Sequence, residues 1–477
     1  MTNRCYLVLI PKFDLDPSYN LKDQTTGLRN ILEENTPISF CEMKYYPHFP
    51  IILINDNYPW ENPLRYFLNK IRSSYEVPSP ETLKSIASSL IDYYNFCSND
   101  SVDYLSCEHP LKSPIRKYKS HLIYKIKTES IAVSTAKLRL NHVVNFYRYL
   151  IKVEEIAFQH PPFEDSEGII SIYNNETNQY YHKINLTSDV QRGLGNTGYN
   201  HQDSAFKGNI RDYGDLKPLS LNEQSILIKA LDELGNIEMK LIFLIALTTG
   251  ARKETILTLR RADFSSSYEK QKEVIIYAGD WLRRPSNSPR EVEVPLPDSK
   301  SNKPIKIFFP IPIYNKVKTY INSPRALSRL KKVDSPKKVK SAHYVFLSQQ
   351  GNPFFISKFD ENIFDFQTRP TGQALATFIQ EKLKPLLKTM GFSSHFKFHD
   401  LRATFGMNLT NCLIKKAKDE QKVDLSEALT IVKTRMNHSS FSTTQQYLNF
   451  KSNSAVMVKA QKSYEKYLAD IFENLPI

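Results

Sequence analysis

The chain has 477 residues, 41% hydrophobic and 24% charged, which is ordinary for a soluble globular protein. That length exceeds one hydrophobic core, so about two to four domains are expected, and a formal net charge of +14 favours a polyanionic partner. Five scattered cysteines without a C-x-x-C pair exclude a disulfide framework or a thiolate zinc site, and no apolar run reaches the roughly 18 residues of a membrane span.

Residues 1–60 read as mixed β and loop. Tyr6–Ile10 and Phe49–Ile54 are short apolar runs bounded by Pro and Asn, as strands tend to be. Residues 61–157 read as helical. Ser79-Pro80-Glu81 is a helix start with Pro in the first turn, and Leu83, Ile86, Ala87, Leu90, Ile91 and Tyr94 follow a helical stripe. A second helix over Ser134–Ile151 carries Lys137, Arg139, His142 and Arg148 beside its apolar stripe, and Lys112–Lys127 is a further basic run without an acid. A module of this kind suits a DNA backbone, although a solvated helical face explains the same charges.

Residues 158–215 are polar and lack periodicity. They read as an extended linker, with a hairpin around Ile169–Ile184. From Leu216 the pattern tightens. Ser220-Leu-Asn-Glu223 is a capping box opening a helix through Leu234. An apolar helix over Ile237–Leu247 stops at Thr249-Gly250, and a strand-rich block spans Val274–Pro312. A basic loop is expected at Arg325–Lys340, and helices run from there to the end.

The residues suited to chemistry lie in this second half. Arg252 follows Gly250, where the apolar helix ends; its planar fork suits phosphate oxygens, although alone it reads equally as a structural arginine. His399 and Arg402 stand three apart in an expected helix over Phe398–Leu409, hence on one face, with Leu401, Phe405 and Leu409 beside them. His395 and His399 have metal-ligand spacing but no supporting carboxylate or thiol, so no metal is expected. Asp424-Leu-Ser-Glu427 starts another helix, with Leu425, Ala428, Leu429, Val432 and Met436 as its stripe and Asn437 as a left-handed stop. His438 then sits just past a helix end. Ser442-Thr-Thr-Gln445 reads as a second capping box, placing Tyr447 early in the next helix, near backbone amides that attract anions.

In order, these motifs resemble the tyrosine recombinases, the family of phage integrases and of Xer- and Cre-type enzymes. The His399-Asp-Leu-Arg402 box and the nine-residue step from His438 to Tyr447 carry the resemblance most specifically, over about residues 216–465. Residues 61–157 resemble the family's helical core-binding domain. The implied fold is mainly α, with a small antiparallel β-sheet in the catalytic domain. The implied domains are an N-terminal segment 1–60, a core-binding domain 61–157, a linker 158–215 and a catalytic domain with tail 216–477. Accessory DNA binding by residues 1–60 rests only on analogy with N-terminal additions in some integrases.

The resemblance also implies a lysine on a turn between two strands. Lys300, in Leu296-Pro-Asp-Ser-Lys300, fits this position with Lys303 in reserve, and Val274–Arg290 would be a strand and loop inserted ahead of that hairpin. Two positions depart from the family. Thr255 stands where an acid is common, so retuned hydrogen bonding is expected, and Met436-Asn437 replaces Leu-Gly.

The implied activity is site-specific cleavage and rejoining of DNA through a 3′-phosphotyrosyl intermediate, in service of a mobile element. Tyr447 would be the nucleophile, His399 the base, Arg252, Arg402 and His438 the phosphate clamp, and Lys300 the acid. No cofactor is implied. The implied partners are double-stranded DNA recombination sites and three further copies in a tetramer; an accessory DNA-bending or directionality factor is compatible with this. The setting would be the bacterial cytoplasm or nucleoid. A type IB-like topoisomerase uses the same chemistry as a monomer, and a DNA-binding protein with reduced catalysis is the other alternative.

Overall fold

The computed structural model describes residues 5–15, 44–54, 57–73, 77–174, 179–191, 210–212, 215–265, 273–278, 305–333, 343–357, 360–392, 395–420, 425–438 and 441–450. Helices dominate, with small antiparallel sheets. The chain divides into two compact units: residues 1–203 with 362–368, and residues 204–361 with 369–477.

The first unit begins with an antiparallel sheet of β1 (Tyr6–Asp14), β2 (Tyr45–Ile54) and β3 (Tyr58–Pro59). Four helices follow: α1 (Glu61–Ser73), α2 (Pro80–Asn99), α3 (Pro114–Lys127) and α4 (Val133–Lys152). Ser79 caps α2 by accepting from the Thr82 amide, as its Ser-Pro start implies. Sheet and helices share one core, in which Tyr46, Phe49 and Ile52 meet Phe67, Leu83, Tyr93, Tyr118 and Tyr147. Residues 5–15, 44–54 and 57–60 are therefore built into the same body as the helices. The buried Tyr93 and Tyr147 hydroxyls bond each other at 2.6 Å, and Tyr147 donates onward to the Tyr104 carbonyl.

The stretch expected to be a linker opens with a long hairpin, β4 (Asp165–Asn174) and β5 (Gln179–Ser188). Its flanks are packed: Phe163 and Val190 enter the first unit's core, and Asp189 pairs with Arg116. Within this stretch residues 175–178, 192–209 and 213–214 lie outside the described chain.

The second unit starts with a two-residue ladder, β6 (Ile210–Arg211) against β7 (Asp215–Leu216). Ser220 and Glu223 form the complete capping box of α5 (Leu221–Glu233). The apolar α6 (Ile237–Thr249) is buried nearly all round and ends at Gly250, whose φ of 65° is the left-handed stop that glycine adopts without strain. Arg252 stands at the residue just before the short α7 (Lys253–Leu257), without a side-chain cap bond to it. Next come the hairpin strands β8 (Glu273–Ala278) and β9 (Ile305–Pro310), then α8 (Ile311–Ile321) and α9 (Pro324–Leu330). A continuous helix is built from α10 (Gln373–Phe378), a π turn (Ile379–Leu383) and α11 (Lys384–Thr389). The unit closes with α12 (Asp400–Glu420), α13 (Leu425–Met436) and α14 over 441–450.

Four sequence expectations need correction here. β8 is not inserted ahead of the family hairpin: it pairs with β9 throughout, Val274 opposite Phe309 and Ile276 opposite Ile307, because those side chains alternate into one core. The basic stretch at 325 is not all loop, since Ser323 caps α9 and accepts from Ala326. His399 lies in the turn before α12, not within the helix, because the Asp400 carboxylate accepts the Lys397 and Lys217 amides and fixes the helix start at Asp400. Ser442 is inside α14, which is already helical at Phe441; a cap contributes only about 1 kcal/mol, so a capping pattern locates a boundary loosely.

Candidate active site

The site is built around α12. Thr404, one turn into this helix, accepts the Leu219 amide at 2.9 Å, while Asp400 holds the Lys217 amide at 3.0 Å. The segment ahead of α5 is thus fastened along the helix that carries Arg402.

Arg402 is buried, and its contacts fix its plane. Nε donates to Asp212 Oδ2 at 2.6 Å, Nη1 to the Gly250 carbonyl at 2.7 Å and Nη2 to the Met436 carbonyl. The last two acceptors are where α6 and α13 end. A guanidinium has five N–H groups, so among the described residues these three bonds leave one N–H on each Nη. Such a pair is suited to clamping two phosphate oxygens.

His438 follows Asn437, whose φ of 51° ends α13 as its sequence suggests. Its Nδ1 lies 3.0 Å from Thr444 Oγ1 and its Nε2 3.2 Å from Asp212 Oδ2. An ionised carboxylate only accepts, so Nε2 carries its hydrogen. Burial pushes the imidazole below its ordinary value; Asp212 opposes this shift, and Arg402 and Arg252 add to it.

Tyr447 is fully buried, with its ring stacked on His438 at 5.8 Å between centroids. Its hydroxyl has no hydrogen-bond partner among the described residues. Burial first, then the Asp212 charge, raises its pKa well above the ordinary tyrosine value, while Arg402 and Arg252 pull it down. Gly406 makes room for the ring, since a Cβ there would come closer than 3.0 Å to Tyr447 and to Met436 Sδ.

Asp212 is the residue that sequence reasoning missed. It is 1% exposed, and burial alone would raise its carboxyl; the His438 bond and the Arg402 charge outweigh that and hold it far below the usual range. A single Asp in a polar stretch gave no signal, because its burial depends on Ile210 and Leu216 entering the cluster of Ala403, Met407, Met436 and Tyr447.

The structure therefore brings together Arg252, Arg402, His438 and Tyr447, with His399 on the turn just before the helix of Arg402. Lys300 and Lys303 lie outside the described residues, between β8 and β9. That hairpin is tied to the His438 end of α13: Arg435 grips both oxygens of Glu273 at 2.6 Å, and Asn437 donates to the Lys306 carbonyl at 3.1 Å.

The residues expected to contact DNA lie in the first unit, and three of the four have partners there. Arg139 pairs with Asp92 at 2.8 Å, and Arg148 forks onto both oxygens of Asp165 at 3.0 and 2.6 Å. His142 bonds Ser89 at 2.9 Å, and burial pushes its imidazole below the ordinary value. Lys137 is exposed. No helix among the described residues is long and apolar enough to cross a membrane.

The model of the phage integrase family matches residues 218–453. No curated protein matches the chain. Among solved structures, the chain is similar to the Tn1549 transposon integrase in complex with circular intermediate DNA, at 12% identity and a TM-score of 0.43, covering 81% of this chain and 94% of that one. A variant of the same integrase in complex with transposon right end DNA shares 14% identity, with a TM-score of 0.45 and coverage of 83% and 98%. XerA recombinase shares 15% identity, with a TM-score of 0.30 and coverage of 84% and 98%.

Proposed function

With residues 218–453 forming a phage integrase family domain and the chain a tyrosine recombinase, we propose that it cuts and rejoins DNA at specific sites through a 3′-phosphotyrosine formed on Tyr447. One observation carries this reading. The Tyr447 hydroxyl is buried without a partner among the described residues, its ring lies on His438, and it feels the charges of Arg252 and Arg402. A buried hydroxyl without a partner costs about 1–3 kcal/mol, so such a group calls for a functional reason.

In the proposed reaction the Tyr447 oxygen attacks a backbone phosphorus. A P–O bond forms to the phenol, and the P–O5′ bond breaks. The phenol proton passes to His399, and the departing O5′ takes a proton from Lys300, leaving a free 5′-hydroxyl. Arg252 and the two uncommitted N–H groups of Arg402 hold the non-bridging oxygens as charge grows, and His438 supports them. Losing one such donor typically costs about 3–4 kcal/mol of barrier. The bond energy stays in the phosphotyrosine, so rejoining needs no nucleotide. The first unit would hold the DNA backbone, and four copies would act on two sites of a mobile element.

A nicked duplex that traps the cut strand tests the reading. Wild type is expected to give a covalent protein–DNA adduct, and Tyr447→Phe is expected to bind the duplex and give none. Absence of an adduct from wild type on its own site would overturn the proposal. A four-way junction from paired sites then marks a recombinase; plasmid relaxation without one marks a topoisomerase.

A further inference from the structure

We propose that Asp212 is a positioning residue of this site, whose carboxylate holds the Arg402 guanidinium and the His438 imidazole in register with each other. The inference rests on the recombinase reading above and adds a residue that lies ahead of the family-matched region, which begins at 218.

The segment that delivers Asp212 is fixed to α12 at several points. Ile210 and Leu216 are buried beside Ala403 and Met407, and the Lys217 and Leu219 amides bond Asp400 and Thr404. From this mount one oxygen, Oδ2, serves both Arg402 Nε at 2.6 Å and His438 Nε2 at 3.2 Å. The shared acceptor sets the distance between two groups carried on different elements. It also commits the Nε edge of Arg402, so that the remaining N–H groups are those on the two Nη atoms. Thr255 is buried and brings no charge, and the carboxylate that meets both Arg402 and His438 among the described residues is that of Asp212.

Asp212 Oδ1 is buried and has no partner among the described residues. Arg–carboxylate pairs are frequently bidentate, and this one engages a single oxygen among the described residues. One oxygen engaged and one idle fits a group set by the two residues it holds. The same geometry allows an opposite role, in which the carboxylate fills the place of the phosphate and must leave before DNA enters. The two roles predict opposite effects of removing it.

The full chain is compared as wild type, Asp212→Asn and Asp212→Glu on a negatively supercoiled plasmid carrying the DNA that flanks its own coding sequence. Covalent adduct is counted under single-turnover conditions. Asp212→Asn is expected to bind the plasmid as wild type does and to cleave about 10–100-fold more slowly, by analogy with the loss of a group that orients a metal ligand. Asp212→Glu is expected to recover part of that loss.

Histidine NMR on the free chain gives a second readout. Among the described residues, the groups facing His438 are Asp212, Arg402, Arg252, Thr444 and Tyr447. Of these, Asp212 alone favours the charged imidazole, so Asp212→Asn lowers the His438 pKa further, which a packing role would not do. Should the Asn variant not fold, Asp212→Glu carries the test: slower cleavage at unchanged plasmid affinity supports positioning. Cleavage at the wild-type rate in a folded variant overturns the proposal, and faster cleavage assigns Asp212 as a stand-in for the phosphate. If wild type itself gives no adduct, the recombinase reading fails, while the NMR shift still reports on Asp212.

Discussion

At the scale of single residues, the site holds groups whose proton affinity is set by burial, and this gives a pH signature. His438 sits below the ordinary imidazole value of 6.5, so between its folded and unfolded values the folded chain binds fewer protons than the unfolded one. Its contribution to stability is complete above pH about 6.5 and is lost as pH falls through the window below that. His121 and His142 are lowered as well, burial first, and add to the same slope. Thermal midpoints of wild type and His438→Gln at several pH values between about 7.5 and 5.5 check this. The variant should be less stable at the upper end and lose less on acidification; parallel curves would show that His438 is not buried neutral. Arg402, His438 and Tyr447 are legible in the sequence as a constellation through the family resemblance that their motifs carry, and the structure places them together. Asp212 was not readable, because an acid joins a site through tertiary packing that leaves no local pattern.

At the scale of elements, the helix ends place the chemistry, and those ends were the most legible feature. Gly250 and Asn437 were expected to stop α6 and α13, and both adopt positive φ. The carbonyl of Gly250 and that of Met436, beside Asn437, then accept from Arg402. Less legible were the helix starts at His399 and Ser442, where competing hydrogen bonds of about 1 kcal/mol decide the boundary. The close approach of α12 to α14 at Gly406 was also invisible, because a glycine inside a helix has no local signature. Gly406→Ala should cost about 1–3 kcal/mol, since the added methyl meets the Tyr447 ring and Met436 Sδ closer than 3.0 Å. Cleavage should fall further than stability does, because the displaced ring is the nucleophile. A thermal melt beside an adduct assay separates the two effects; a variant as stable and as active as wild type would mean the helices do not meet there.

At the scale of the whole molecule, the charge of +14 is an electrostatic statement about a polyanion, and its distribution decides which cations are available. Composition announced the excess but could not say which cations are already engaged. Asp92 holds both Lys125 and Arg139 and accepts from Tyr118; Asp165 holds Arg148; Asp189 holds Arg116. These arginines stabilise the first unit, whereas Lys137 is exposed on the same helix as Arg139 and Arg148. The two kinds of cation should respond differently to substitution. A lysine that releases a counterion on binding contributes about one unit to the slope of log affinity against log salt, irrespective of sequence. Lys137→Ala should therefore weaken DNA binding evenly across sequences, reduce that slope by about one and leave the melting temperature unchanged. Arg139→Ala should leave the slope nearly unchanged and lower the melting temperature, because Asp92 and the Tyr118 hydroxyl it accepts lose a cation worth about 1 kcal/mol. Anisotropy titrations from about 50 to 200 mM salt, paired with thermal melts, decide between them. The reverse pattern, a slope that follows Arg139 and not Lys137, would mean that the Asp92 pair opens on DNA and that the intramolecular partners are only placeholders for phosphates.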